Sequence, residues 1–294
     1  MDIGFVGLGN IGGPCARHLV EAGHTVTVAD LDGGARAALV AAGATEADAS
    51  ELGASCEVVF LSLPSPEASA AVVDQLLANA RAGLVIVDLS TNSSGATAAL
   101  DERCRAAGAH YLDCPVSGGN QGAEAGDLVL MPSGDEAAFD RALPAMLAFG
   151  KDDMAYLGPS GTGTMVKLIN NLVFLVGTQV FEEAYLLAAK AGLDLPRFLE
   201  VLKGSSAGLY MALAPLIANR QWEESSYDLA LAEKDLRLAL ESGREIESPL
   251  PLTDAAHGVL AKAVGLGLGE KFFIGAFEAL EHEAGFTAPR PGER

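Results

Sequence analysis

Lys167 and Asn171 stand four residues apart in the run Met165-Val-Lys-Leu-Ile-Asn-Asn-Leu-Val-Phe-Leu-Val. On a helix they project from one face, about one turn apart. That face is otherwise apolar, so an ammonium group is costly to bury there unless it serves a purpose. Desolvation lowers the pKa of a lysine so placed toward a value suited to proton transfer. A lysine that snorkels to the surface beside the first helical turn accounts for the same residues. Both readings stay open on this segment alone.

A second chemistry is written at the start of the chain. Phe5-Val-Gly-Leu-Gly-Asn-Ile-Gly is a Gly-x-Gly-x-x-Gly run entered from a short apolar strand and followed by an amphipathic helix. Gly7 permits the tight turn, Gly9 lets the backbone approach a pyrophosphate, and Gly12 allows close packing of helix on strand. The new helix offers unpaired N–H groups to the phosphates. The run alone is weak; a second strand, Thr25-Val-Thr-Val-Ala-Asp30, strengthens it. That strand ends in a carboxylate about 20 residues beyond the glycines, where a ribose is held. A 2′-phosphate would meet Asp30 and Asp32 before any cation, the first being Arg36, so the sequence favours NAD over NADP. Asp30 as an ordinary turn residue is the plainer alternative.

Further polar text follows apolar runs: Leu63-Pro64-Ser65-Pro66, Asp88-Leu-Ser90-Thr91-Asn92, and Pro115-Val-Ser117-Gly118-Gly119. The Ser117-Gly118-Gly119 turn offers a hydroxyl and backbone N–H groups without bulk, a fair cradle for a carboxylate, or else a plain turn. Asp88 reads as a structural group that accepts N–H bonds from the Ser90–Thr91 loop.

The elements that must carry these residues are legible in outline. Short apolar runs at 3–6, 25–29, 58–63, 84–89, 111–116 and 128–131 alternate with Ala-rich helical patterns. That rhythm is βαβ, and it predicts a mostly parallel sheet covered on both faces, with ligands gathered at the strand ends. Beyond Gly161-Thr-Gly163 a long apolar helix begins, and no convincing strand follows. The expected architecture is α/β, a doubly wound Rossmann-type domain over 1–161. A connector helix follows over 162–190, then an all-helical domain over 191–286 and a frayed tail over 287–294. Breaks in the helical part are expected at Gly192, Gly204, Pro215, Gly243 and Pro249–Pro251.

Composition bounds the rest. The chain of 294 residues exceeds one comfortable α/β core, and half of it is apolar. A formal net charge of −20, from 19 basic and 39 acidic side chains, repels nucleic acid and anionic lipid. A small anionic substrate must then find a local cation, which draws attention to Lys167, Lys203 and Lys234. Cys15, Cys56, Cys104 and Cys114 lie scattered with no Cys-x-x-Cys pair, so buried thiols are expected and neither a metal site nor a disulfide framework. No run reaches about 18 unbroken apolar residues, and the first strand starts at once, so a soluble, cytoplasmic protein without a leader is expected.

Taken together, Gly-Leu-Gly-Asn-Ile-Gly, Leu63-Pro64, Asp88-Leu-Ser90-Thr91, Asp113-Cys-Pro115-Val-Ser117-Gly118-Gly119 with Ala123 and Gly126, Gly161-Thr-Gly163-Thr-Met-Val-Lys167-Leu-Ile-Asn170-Asn171, and Lys234-Asp235-Leu236 resemble the β-hydroxyacid dehydrogenases, the 3-hydroxyisobutyrate dehydrogenase family, along nearly the whole chain. The resemblance implies NAD(P)-dependent oxidation of a short 3-hydroxy acid to its semialdehyde or keto acid, or the reverse, without metal. It casts Lys167 as the proton-transfer group, with Asn171 orienting the substrate and Ser117, Gly118 and Gly119 holding its carboxylate. Gly7, Leu8, Gly9, Asn10, Ile11, Gly12, Asp30, Leu63, Pro64, Thr91 and Lys234 fall to the cofactor. Ile11 stands where Met is frequent, Ser94 where Pro is frequent, and Met131-Pro132-Ser133-Gly134 replaces a more usual Met-Val-Gly-Gly. Tyr227 stands where Phe is common. Lining the pocket, its hydroxyl would tilt preference toward a more polar acid.

Three rivals follow from the same text. Imine reductases of this architecture generally lack the helix lysine, so Lys167 opposes that reading, and Asp30 opposes an NADP-linked semialdehyde or glyoxylate reductase. A nucleotide-binding protein without turnover would show erosion at Lys167, Asn171 and the Ser-Gly-Gly turn, all of which are intact. The apolar runs Leu209–Ile217 and Phe272–Phe277 call for cover, and the expected partner is a second copy, giving a homodimer or homotetramer.

Overall fold

A computed structural model describes residues 1–224 and 227–290. The chain divides into two compact units, Met1–Leu168 and Ile169–Arg294.

The first unit is built on a seven-stranded sheet. In chain order it carries β1 (Asp2–Val6), α1 (Gly12–Glu21), β2 (Thr25–Ala29), α2 (Gly33–Ala41), β3 (Thr45–Glu46), α3 (Ala49–Ser55), β4 (Val58–Leu61), α4 (Pro66–Leu77), β5 (Val85–Asp88), α5 (Ser94–Ala106) and β6 (His110–Asp113). Strand order is β3-β2-β1-β4-β5-β6-β9, where β9 (Ser133–Gly134) is an antiparallel edge and every other pairing is parallel. This is the doubly wound order, with its switch point between β1 and β4, where crevices for dinucleotides form. β4 and β5 are buried at every residue, which explains their unbroken apolar text: helices cover both faces. Two apolar layers result, one around Phe5, Phe60 and Phe149, the other around Leu52, Leu76 and Leu100.

The run 111–116 is not one strand. Pro115 has no N–H to give a ladder, and the chain turns there: β6 ends at Asp113, and β7 (Val116–Ser117) pairs in a separate two-stranded sheet with β8 (Val129–Leu130). Between them lies α6 (Gly119–Ala125), and α7 (Glu136–Met146) completes the Rossmann part. The run 128–131 thus belongs to the small sheet, not the main one.

The long helix α8 (Thr162–Lys190) is followed by α9 (Leu195–Lys203), α10 (Ala214–Ala218), α11 (Leu229–Glu245), α12 (Pro251–Ala263) and α13 (Ala276–Ala284). Among the described residues of the second unit no strand occurs, only an isolated bridge between Asp228 and Phe272. Gly192 ends α8 with φ +75°, and Pro215 and Pro251 sit in the first turns of α10 and α12. Gly243 is no break. It lies inside α11, where an added Cβ would stand 2.7 Å from Leu250, so glycine there serves close packing. α8 is long and apolar enough to cross a membrane, yet half of its most apolar stretch is buried inside the protein, as in a core helix.

Two further expectations are corrected. Residues 291–294 of the tail lie outside the described residues, but the preceding part is held. Ala288 is buried and its N–H donates to Glu281 at 2.7 Å, while Arg220 donates to both oxygens of that carboxylate. Much of the apolar runs that called for cover already has it, because Ala214, Ile217, Phe273, Ile274 and Phe277 form the core of the second unit with Trp222 and Tyr185. A row of exposed apolar side chains lies on α8 instead, at Val166, Val173, Val180 and Leu187, which are 38, 58, 61 and 70% exposed.

Candidate active site

The glycine loop leaves β1 at Val6 and enters α1 at Gly12. Gly7 has φ +91°, and an added Cβ would lie 2.2 Å from the Ser62 carbonyl oxygen. A Cβ at Gly12 would lie 1.9 Å from the Gly7 carbonyl, whereas Gly9 faces open space. Two glycines are required by packing, and the third leaves its backbone bare to an incoming group. Gly9 and Asn10 are exposed, Ile11 is half-buried and Leu8 is buried. The loop therefore fits a dinucleotide pyrophosphate at the start of α1.

Asp30, at the end of β2, reaches back to this loop. Its carboxylate accepts from the N–H of Leu8 and, at 2.7 Å, from the N–H of Asp32. Asp32 in turn caps α2 by accepting from Gly34. Arg36 comes closer than its sequence position suggests: its guanidinium donates to the Asp30 carbonyl and, through Nε, to Glu46 at 3.0 Å. Cation and carboxylate thus share this corner.

At the ends of β5 and β6 two buried aspartates sit side by side in register, Asp88 beside Asp113. Asp88 accepts from the Ser90 N–H, the Asn92 amide and the Tyr111 hydroxyl, each at 2.9 Å. Ser90 Oγ accepts from the Leu63 N–H at 2.8 Å, which ties the half-buried Leu63 and exposed Pro64 to the loop bearing Thr91. Burial, followed by the Asp88 charge and hydrogen bond, drives the Tyr111 phenol well above its usual pKa, so it remains a donor.

Asp113 is the group that composition and spacing did not single out. It accepts from the N–H of Gly161 at 2.9 Å, the N–H of Thr164 at 2.8 Å and the Ser133 hydroxyl at 2.7 Å. It therefore caps α8, satisfying N–H groups that a helix start leaves unpaired. Ser133 also accepts from the Gly163 N–H, and Thr164 meets Thr97 at 2.9 Å. A Cβ at Gly163 would stand 2.0 Å from the Met131 carbonyl, which explains the Gly-Thr-Gly text. The sequence signal was Asp113 itself, lying just before Cys114-Pro115, but its partners are 20, 48 and 51 residues away.

That clamp fixes the first turn of α8 and so the start of the stretch carrying Lys167, which is half-buried. Asn171 is 5% exposed, and its amide donates to Asp235 at 2.6 Å while its Oδ1 accepts from Asn170 at 3.0 Å. Asp235 also accepts from the Tyr227 hydroxyl at 2.7 Å, and Lys234 Nζ lies 3.3 Å from its other oxygen. The Tyr227 hydroxyl thus donates to a protein carboxylate. Burial, and then the Asp235 charge, push its pKa well up.

Ser117, Gly118 and Gly119 lie where β7 turns into α6, with Gly118 at φ +132° and Gly119 at φ +59°. Both glycines are exposed, and Ser117 is half-buried. His18 of α1 lies 3.1 Å from the carbonyls of Ala123 and Glu124, anchoring the far end of α6. Lys203 is exposed in the last turn of α9 and belongs to none of these groups. No His, Cys, Asp and Glu cluster suited to a metal occurs among the described residues.

The glycine loop, the carboxylate at the end of β2 and the switch-point topology define an NAD(P)-binding oxidoreductase fold, and the comparisons narrow the class. Residues 2–158 match the NAD binding domain of 6-phosphogluconate dehydrogenase, and residues 161–273 match the domain described as NAD-binding of NADP-dependent 3-hydroxyisobutyrate dehydrogenase. The chain belongs to the β-hydroxyacid dehydrogenase family. It is 34% identical to 2-(hydroxymethyl)glutarate dehydrogenase of Eubacterium barkeri, over 98% of this chain and 97% of that protein. The structure of Mycobacterium tuberculosis 3-hydroxyisobutyrate dehydrogenase with L-serine superposes with a TM-score of 0.86 at 30% identity, covering 95% of this chain and 98% of that one. An imine reductase from Pseudomonas sp. shares the fold at 21% identity, with a TM-score of 0.62 over 95% of this chain and 99% of that one.

Proposed function

We propose that the protein interconverts a short 3-hydroxy acid and its semialdehyde or keto acid, with NAD as the preferred coenzyme and Lys167 as the proton-transfer residue. The observation that carries this reading is the clamped start of α8, which delivers Lys167 and, one turn later, a buried and doubly held Asn171. A scaffold protein would have no need of that precision.

Bound at the glycine loop, the nicotinamide coenzyme supplies or accepts the hydride. Lys167 takes the hydroxyl proton as the carbonyl forms, and in reduction its ammonium polarises the carbonyl and returns the proton. The Ser117-Gly118-Gly119 turn holds the substrate carboxylate through its hydroxyl and N–H groups, and Asn171 orients the reacting carbon. This reading assigns Thr91, Leu63, Pro64 and Lys234 to the cofactor as well. With coenzyme bound, Asp30 would accept from the ribose hydroxyls, and with Asp32 it would repel a 2′-phosphate. Arg36 is already engaged by Glu46, so it does not reverse that preference.

Imine reduction is disfavoured by Lys167 itself. All four thiols are buried and unpaired, and burial raises Cys15 and Cys104 to about 12. This supports a reducing, cytoplasmic setting.

The test is a panel of 3-hydroxyisobutyrate, 3-hydroxypropionate and glycerate with NAD and NADP, run on the parent and Lys167→Ala. The variant is expected to lose about 10²-fold in kcat while binding NAD as before. Undiminished turnover in Lys167→Ala would remove that residue from the chemistry.

A further inference from the structure

Asp235 lies on α11, only 3% exposed, and two neutral donors converge on one of its oxygens, the Asn171 amide at 2.6 Å and the Tyr227 hydroxyl at 2.7 Å. Lys234 Nζ lies 3.3 Å from the other oxygen as an ion pair, and that oxygen, Oδ1, is buried without a hydrogen bond. A carboxylate buried this deeply needs all such partners, because each unmet acceptor carries the full cost of its lost water. Tyr227 is fixed in turn: its ring packs on Phe273 at 5.6 Å, Phe273 packs on Phe174 of α8 at 5.3 Å, and the Phe273 N–H donates to the Tyr227 carbonyl. The Asn171 amide is held at both ends, by Asp235 at its nitrogen and by Asn170 at its oxygen. That leaves Asn171 one N–H and one oxygen lone pair in a set direction.

We propose that Tyr227 is a positioning residue for Asn171, acting through the Asp235 carboxylate, and that its hydroxyl makes no contact with substrate. The proposal rests on the reading that Asn171 orients the substrate. It assigns Tyr227 a different task from a polar pocket wall. With Phe at this position, Asp235 would keep Asn171 and Lys234 but lose its second neutral donor, and the amide would swing more freely. The phenol donates its proton throughout the working pH range, since burial and the neighbouring carboxylate hold it in the neutral form.

The experiment is a double-mutant cycle on the full-length protein, with KM and kcat measured for 3-hydroxyisobutyrate and glycerate, and NAD affinity by fluorescence titration. Tyr227→Phe is expected to raise both KM values about tenfold, the scale of one hydrogen bond to a charged group, with their ratio and the NAD affinity unchanged. In an Asn171→Ala background the same substitution is expected to add less than about twofold, since coupled residues are non-additive. Asp235→Asn, which keeps the shape, is expected to reproduce the KM rise should Tyr227→Phe fold poorly. A loss confined to glycerate would place the hydroxyl on the substrate and overturn the proposal. Full additivity with an impaired Asn171→Ala would overturn it for Tyr227 alone. An Asn171→Ala variant with parental KM would remove both residues from substrate positioning, and with them the reading of Asn171.

Discussion

At the scale of the residue, Asp30 does two jobs that pull in one direction. Its carboxylate holds the Leu8 N–H, so it shapes the glycine turn, and it is the group proposed to receive the ribose of the coenzyme. Asp30→Ala is therefore expected to weaken NAD about tenfold or more and to shift the NADP-to-NAD affinity ratio toward NADP by a similar factor, as like-charge repulsion is lifted. Fluorescence titration with both coenzymes checks this, and a parent protein that binds the two equally would contradict it. Residues whose function is local were plain in the sequence. Gly7 and Gly12 announce crowding that only glycine tolerates, and Lys167 stands out against an apolar helix. Asp113 and Asp235 were not assigned their tasks, because a carboxylate reads the same whether it caps a helix, holds an amide or faces water. Their partners lie 48, 51 and 64 residues away in the chain. Only the fold brings these together. The same is true of Tyr227, whose hydroxyl was legible as a donor but not as a donor already in use.

At the scale of the element, α8 carries more buried polarity than its apolar text suggests. Glu182 is fully buried in it, accepting only from Gln179 at 3.0 Å, while Glu182 Oε1 and Gln179 Oε1 have no hydrogen-bond partner. Burial is the main cause that drives the Glu182 carboxyl well above its usual range, so the folded protein keeps a proton there that the unfolded chain releases near pH 4.3. The native state then binds more protons, and stability must fall as pH rises from that range toward the folded value, by up to about 1.4 kcal/mol per pH unit for one proton. Glu182→Gln removes the group that ionises and keeps its shape. Thermal melting between pH 5 and 8 is expected to show the variant gaining on the parent as pH rises; a constant gap would mean that Glu182 is ionised in the fold. Periodicity gave the existence of α8 and of the parallel strands, since an apolar run of that length has few other uses. It misjudged interruptions where one residue type serves two ends. Pro115 splits a run that looked continuous, and Gly243 lets α11 pack on Leu250 where a break looked due.

For the molecule as a whole, the question is which apolar surface still lacks a partner. The runs around Ile217 and Phe277, conspicuous in the sequence, are consumed by the helical core, because hydrophobicity says that a residue must be covered but not by what. A regular row is open on α8, with Val166, Val173, Val180 and Leu187 recurring every seven residues and 38 to 70% exposed. A seven-residue apolar repeat on a helix is the geometry of a seam with another helix. A second copy offers the same stripe, so an isologous pairing is self-complementary. Placing two charges in the middle of the row, Val173→Asp with Val180→Asp, would bury like charges against each other in such a seam. Light scattering at micromolar concentration is expected to give a dimer or tetramer for the parent and a monomer for the double variant, with the helical circular dichroism signal retained. A parent protein that scatters as a monomer would leave the stripe without this role.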